Sequence, residues 1–569
     1  MTRAFLWVLP VAVALHCGNN DASNFDGGPS DASTDASLDG DATGFPQDSG
    51  PIVYSDFPTT PIVDSTLPSN IDTQFGDPDA GSAAAPCVSE PANDAMIPKN
   101  WTPLFLEYAA SGANVYEIRV TIDNQKNPAV VYTPNPTYAF DQTLWKLVEA
   151  HSAGHDVNLA VRGGVLTNQV LSSVTAEATA TVHIAPVDAP GSVVYWSSTG
   201  GTAFRGFTVG DMTSKTVLTP ATAGASSAGD GTTTCISCHT SSPDGTYVIY
   251  TRDTASSRAI DVRSVVGANP PSGSDVSASA LALLGRDHQG APILNANHYS
   301  ASDAIALSIL YDPAATGSQN YELVWTDLHA PDASGFGVLA RTGDPNVGIA
   351  SATWSHDGKT VAYVSSTSAG EAVVSNGPTM DIYTVPYNGH AGGAASKLSG
   401  ASDPNFHEFY PVYSPNDTLL AFNRTANACD FSAADGPTNT HCENSYNQPA
   451  AEIYVVPAKG GSIQRLRAND PPSCTQLVSP GLTNAWPRWA PQAQPDGTYN
   501  YYWVVFSSKR RPATGLNPQL YVSAVVTKVS GGTETLYADY PAVYVLSQDA
   551  TQNNHTPAWD NFDVQGIPN

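Results

Sequence analysis

The sequence predicts an all-β chain: an N-terminal β-sandwich of the immunoglobulin or fibronectin type followed by a six-bladed β-propeller, with seven blades as the alternative. Three observations predict it. Between Pro98 and Pro186, short segments such as Val115–Ile122 and Val157–Val161 alternate apolar and polar residues between polar turns, the period of half-buried strands. From Ala189 onward a tight polar turn recurs before an apolar strand: Ser242-Pro-Asp-Gly245 before Thr246–Tyr250, Ser355-His-Asp-Gly358 before Lys359–Tyr363, and Ser414-Pro-Asn-Asp417 before Thr418–Phe422. Matching third strands follow at Asp381-Ile-Tyr-Thr-Val-Pro386 and Glu452-Ile-Tyr-Val-Val-Pro457, and the spacing leaves room for four strands per repeat.

From its N-terminus, the chain opens on Met1-Thr-Arg3, runs apolar from Ala4 to Leu15 and reaches Cys17. A basic tip and an apolar run too short to span a bilayer predict an export signal over residues 1–17. The segment resembles bacterial lipoprotein signals, in which the cysteine is acylated. That resemblance implies lipidation of Cys17 and a membrane anchor, although His16 stands where the family carries a small residue. Residues 18–86 are acidic and rich in small residues, and no Lys or Arg occurs between Arg3 and Lys99, which predicts a disordered tether. The sandwich is expected over residues 87–188. Within it, Thr143–His151 repeats apolar residues at helical spacing after Asp141, a suitable N-cap, and Trp145 reads as core.

The propeller is expected over residues 189–569, with inner strands beginning near Cys238, His298, Ser351, Tyr410 and Trp486. A first set of strands, Val193 to Pro220, lacks an inner partner. His555-Thr-Pro-Ala-Trp559 is similar to Trp486-Pro-Arg-Trp489 and is expected to supply that strand from the other end of the chain, covering an open sheet edge. These turns and strands resemble the TolB-like, WD40-like propeller repeats over about the last two thirds of the chain, a resemblance that implies the fold and leaves function open.

One stretch carries nameable chemistry, Cys235-Ile-Ser-Cys-His239. Two thiols at this spacing can each form a thioether to a haem vinyl group while the adjacent histidine ligates the iron. The signature predicts covalent haem c attached through Cys235 and Cys238, with His239 as proximal iron ligand. A local disulfide and half of a zinc site are the other readings, and no second Cys-x-x-Cys is present to complete the zinc site. Ungapped alignment of the blades sets His298 over His239, His407 over Cys235 and His555 near Ser237. His298 is therefore the first candidate distal ligand, His407 the second and Met212 the third; each also reads as an ordinary channel-lining residue. Of the remaining cysteines, Cys429 with Cys442 across a loop insertion and Cys87 with Cys474 is the preferred of three pairings.

The formal net charge of −28 argues against nucleic acid and suits a basic docking partner. No Gly-x-Ser-x-Gly elbow and no phosphate-cradling Gly-rich loop with a lysine occurs. Together these features lead to an exported, lipid-anchored monohaem c-type cytochrome of the outer membrane, periplasm or cell surface, passing single electrons to a redox partner protein at the propeller funnel. The alternatives are a non-redox propeller binding module of the cell envelope and a metal-dependent propeller enzyme such as a polysaccharide lyase.

Overall fold

A computed structural model describes residues 53–77, 81–224, 231–255, 257–264, 276–311, 321–345, 348–366, 380–426, 445, 448–511, 517–562 and 564. Cys17, Cys429 and Cys442 lie outside the described residues. The N-terminal unit has two sheets. One runs in the order Ile62–Val63, Ala129–Thr133, Val115–Ile122, Asp156–Thr167, Ala178–Ile184, Ala95–Ile97; the other contains Cys87–Glu90, Phe105–Ala109 and Thr137–Ala139. Their apolar faces meet in one core, where Leu106 and Tyr108 join Ile118, Val120, Val131 and Val161. The expected helix is present at Gln142–His151; the Asp141 carboxylate accepts from the Thr143 and Leu144 N–H groups, and Trp145 is fully buried.

The expected tether, residues 18–86, is corrected from Val53 onward. Ile62–Val63 adds a parallel strand beside Ala129–Thr133, and a short helix at Ile71–Phe75 buries Ile71 and Phe75 against Val115 and Tyr132. The Arg162 guanidinium reaches back to the carbonyls of Phe75, Gly76 and Asp77 and pairs with Glu117 at 2.8 Å. Acidic composition hid the apolar residues Phe57, Ile71 and Phe75, which are buried, and Ile62 and Leu67, which are half-buried; they supply the buried surface that offsets ordering entropy.

Six sheets form the propeller. In chain order their innermost strands are Cys235–Ser241, His288–Ile293, Gly348–Trp354, Phe406–Tyr413 and Ala485–Trp489 for blades two to six, while Asn554–Asp560 serves blade one. This last strand pairs antiparallel with Ser192–Ser197, so the C-terminal end closes the ring as the sequence predicts. The repeated turns have a common cause. In each, the serine hydroxyl accepts from the N–H five residues on, Tyr247 to Ser242, Thr360 to Ser355 and Leu419 to Ser414, at 2.9 Å in all three. Gly245 and Gly358 take left-handed φ values of 73° and 74°, and Asp417 fills the same place at 57°.

Sandwich and propeller share a core that runs from Ile97 and Trp101 to Trp503, Val522 and Trp559. The expected Cys87–Cys474 disulfide spans them, and Arg467–Asp94 at 2.6 Å and Arg511–Glu107 at 3.1 Å add ion pairs across the joint.

Candidate functional site: the propeller channel

Each inner strand breaks register once, at a residue with positive φ: Cys238, Gly290, Ser351, Tyr410, Trp486 and Thr556, at 41°, 78°, 44°, 54°, 63° and 41°. A β-bulge re-aims the side chain at the break, and here the six breaks form a ring with one position per blade. Five of the six are not glycine, so backbone strain is held at this level of the channel in blade after blade.

The ring fixes which residues are equivalent. His407 lies three residues before Tyr410 as Cys235 lies three before Cys238, and His555 precedes Thr556 as Ser237 precedes Cys238, as the ungapped alignment expects. His298 is a correction. The inner strand of blade three is His288–Ile293, and Gly290 is the equivalent of Cys238; a 3₁₀ turn, Ala296–His298, is inserted before the hairpin and shifts the alignment. His298 sits at the joint with blade four, its Nδ1 2.8 Å from Asp303 Oδ2, its Nε2 3.0 Å from the Gly358 carbonyl and its ring stacked on Trp354. Met212 is a second correction: it follows Ala203–Thr208 in the turn to Lys215–Leu218, between the two outer strands of blade one and away from the channel.

The residues of the haem motif do not fit a covalent haem in this fold. Cys235 is buried and disulfide-bonded, whereas Cys238 is a free thiol, so the two are not joined to each other, and Cys235 is not available for a thioether. His239 is 7 % exposed and turns sideways into the joint between blades one and two, its ring 4.4 Å from that of Phe204 and its Nε2 3.2 Å from the Val194 carbonyl. Burial pushes its pKa down to about 4, which keeps the imidazole neutral. To ligate iron it would have to leave that joint and take the strand Cys235–Ser241 with it. His407 and His555 are also buried, and burial pushes His555 down to about 3. Among the described residues, no group of three His, Cys, Asp or Glu side chains is placed to hold a metal ion.

The channel instead brings together Cys238, Tyr410, Trp486 and Arg488. Tyr410 and Trp486 stack with ring centroids 3.7 Å apart, and the Tyr410 hydroxyl donates to Ser445 Oγ at 3.2 Å. Burial holds the tyrosine hydroxyl protonated and pushes the Cys238 thiol up to about 11. Cys238 and Tyr410 belong to blades two and five, opposite one another in a ring of six. Arg488 is partly exposed; its Nη1 donates to the Pro487 carbonyl at 3.1 Å, and it makes no ion pair among the described residues. Burial lowers its pKa, against the pull of Asp560, Cys238 and Tyr410 nearby. Sequence reading did not single out Arg488. Its signal was the charge inside Trp486-Pro-Arg-Trp489, a segment noticed only as a strand.

No family model matches the chain, and no curated protein does. Solved structures with related architecture include a candidate TolB from Agrobacterium tumefaciens, at 14% identity over 64% of this chain and 96% of that one, with a TM-score of 0.31. Prolyl oligopeptidase B from Galerina marginata is 11% identical over 61% of this chain and 48% of that one, with a TM-score of 0.28. A DUF4784 family protein from Bacteroides caccae is 8% identical over 84% and 98%, with a TM-score of 0.30. At such scores the architecture of this chain rests on its own strand order: it is an all-β protein with a six-bladed propeller closed by its C-terminal strand.

Proposed function

We propose that the protein is a non-redox binding module of the cell envelope, whose propeller channel receives part of its ligand. The observation that carries this reading is the state of the Cys235–His239 strand, with one cysteine engaged in a disulfide and the histidine packed between blades. Disulfides at Cys87–Cys474 and at Cys235 suit an oxidising compartment and so support export. Lipidation of Cys17 would tether the module to a membrane. The cytochrome reading rests on the motif alone and requires haem to be attached before blade two forms.

The test is a haem-stained denaturing gel with a pyridine haemochrome spectrum, on protein exported from a host that matures c-type cytochromes. We expect a colourless band whose mass is that of the polypeptide. A covalent haem band that disappears in the Cys235→Ala/Cys238→Ala variant would overturn the reading and install the cytochrome in its place.

A further inference from the structure

Among the described residues, Arg488 is a cation without an ion-pair partner. It stands on the inner strand of blade six, two residues beyond the bulge at Trp486. The equivalent positions of four other blades are Thr240, Thr353, Val412 and Ala558, none of them charged. One backbone carbonyl, Pro487, takes one of its five N–H donors. Asp560 pulls on it electrostatically, and no ion pair joins the two. A half-buried guanidinium carries a desolvation cost that a bound anion would relieve. The side chain is half-buried, and no other hydrogen bond to the described residues engages its remaining donors.

We propose that the channel is a receptor for a single carboxylate, which the Arg488 guanidinium grips through paired N–H donors beside the stacked Tyr410 and Trp486 rings. The proposal rests on the binding-module reading and deepens it. The planar fork of arginine matches a carboxylate in two parallel hydrogen bonds. One positive charge, a neighbouring aspartate and a chain of net charge −28 select a monoanion over a doubly charged phosphate or sulfate. Trp486, two residues before Arg488 on the same strand, is buried and stacked on Tyr410, which gives the guanidinium an apolar backing. Such a group could arrive as a free small carboxylate or as the C-terminal carboxylate of a peptide chain, and the experiment separates these.

The full-length exported protein, first shown free of haem, is titrated at constant ionic strength with acetate, with a short peptide bearing a free C-terminal carboxylate, and with the same peptide amidated. Melting temperature is read against chloride. We expect a saturable rise with acetate, with the free-acid peptide, or with both, and none with the amidated peptide. A response to acetate assigns free carboxylates; a response to the free-acid peptide alone assigns chain termini. Arg488→Met, which keeps the length of the side chain, weakens binding roughly 10- to 100-fold, and Arg488→Lys, which keeps charge but loses the fork, weakens it less. Asp560→Asn removes the competing carboxyl and strengthens it. No saturable shift with any probe in the wild-type protein, an equal shift with the amidated peptide, or an undiminished shift in Arg488→Met overturns the proposal while leaving the binding-module reading intact. Covalent haem in the starting protein overturns that reading instead.

Discussion

Cys238 shows how far neighbours alter the meaning of a residue. In isolation it is half of a haem-attachment pair; in the fold it is a free thiol at a strand bulge, and burial raises its pKa to about 11 even though Arg258 and Ser237 pull the other way. Only the thiolate is nucleophilic, so the folded protein at pH 8 is expected to react with iodoacetamide roughly 100-fold more slowly than the unfolded chain. The rate should climb as pH rises toward about 11. Peptide mapping of the alkylated cysteine measures it, and fast labelling of Cys238 at pH 8 would show that the channel is more open than described. The contrast with His239 is instructive. One residue away, on the far side of the same bulge, its ring lies between blades, where no sequence motif can announce it.

At the scale of elements, most of what was legible came from turns. Ser-Pro-Asp-Gly and its variants dictate a local hydrogen-bond pattern, so blades two, four and five could be found without any tertiary knowledge. Blade three was misplaced because its hairpin, Ser300–Asp303, follows an inserted 3₁₀ turn; insertion length is set by what fits at the rim, a property of neighbouring blades. Closure by the C-terminal strand was legible because Trp559 echoes Trp489. That strand is pinned by the Trp559 indole, which is buried and donates from Nε1 to the Pro190 carbonyl at 2.8 Å. Trp559→Ala should cost about 3–5 kcal/mol, read as a lower midpoint in urea unfolding. A change within 1 kcal/mol would show that the ring does not depend on that closure.

For the whole molecule, the joint between sandwich and propeller is polar at its edge and apolar within. His183 of the sandwich bridges Asp94 at 2.8 Å and Asp156 at 2.7 Å, and Asp94 in turn holds Arg467 of the propeller. Tyr540 of the propeller packs edge-on against the imidazole. Burial alone would lower the histidine pKa, but the hydrogen bonds its ring N–H groups donate to both carboxylates outweigh it and raise the value to about 9. The folded value lies above the unfolded one, so this stabilisation is complete below pH 6.5 and fades as pH rises through about 9. Melting temperature should fall over that window in the wild-type protein and fall less in His183→Asn; identical profiles would remove the histidine from the account. The joint was legible only through Cys87 and Cys474. Its ion pairs connect residues hundreds of positions apart, and nothing in their local sequence links them.

Ring closure also has a consequence in time. A chain is made from its N-terminus, and blade one, begun at Ser192–Ser197, waits for Asn554–Asp560, made after the strands of the other five blades. Until then there is a row of five blades and an open edge, with Ser192–Ser197 unpaired on its inner side. The closed channel around Arg488 comes into being only after that strand has been made. Whatever binds there meets a closed ring, and a chain that stops short of that strand is silent to it.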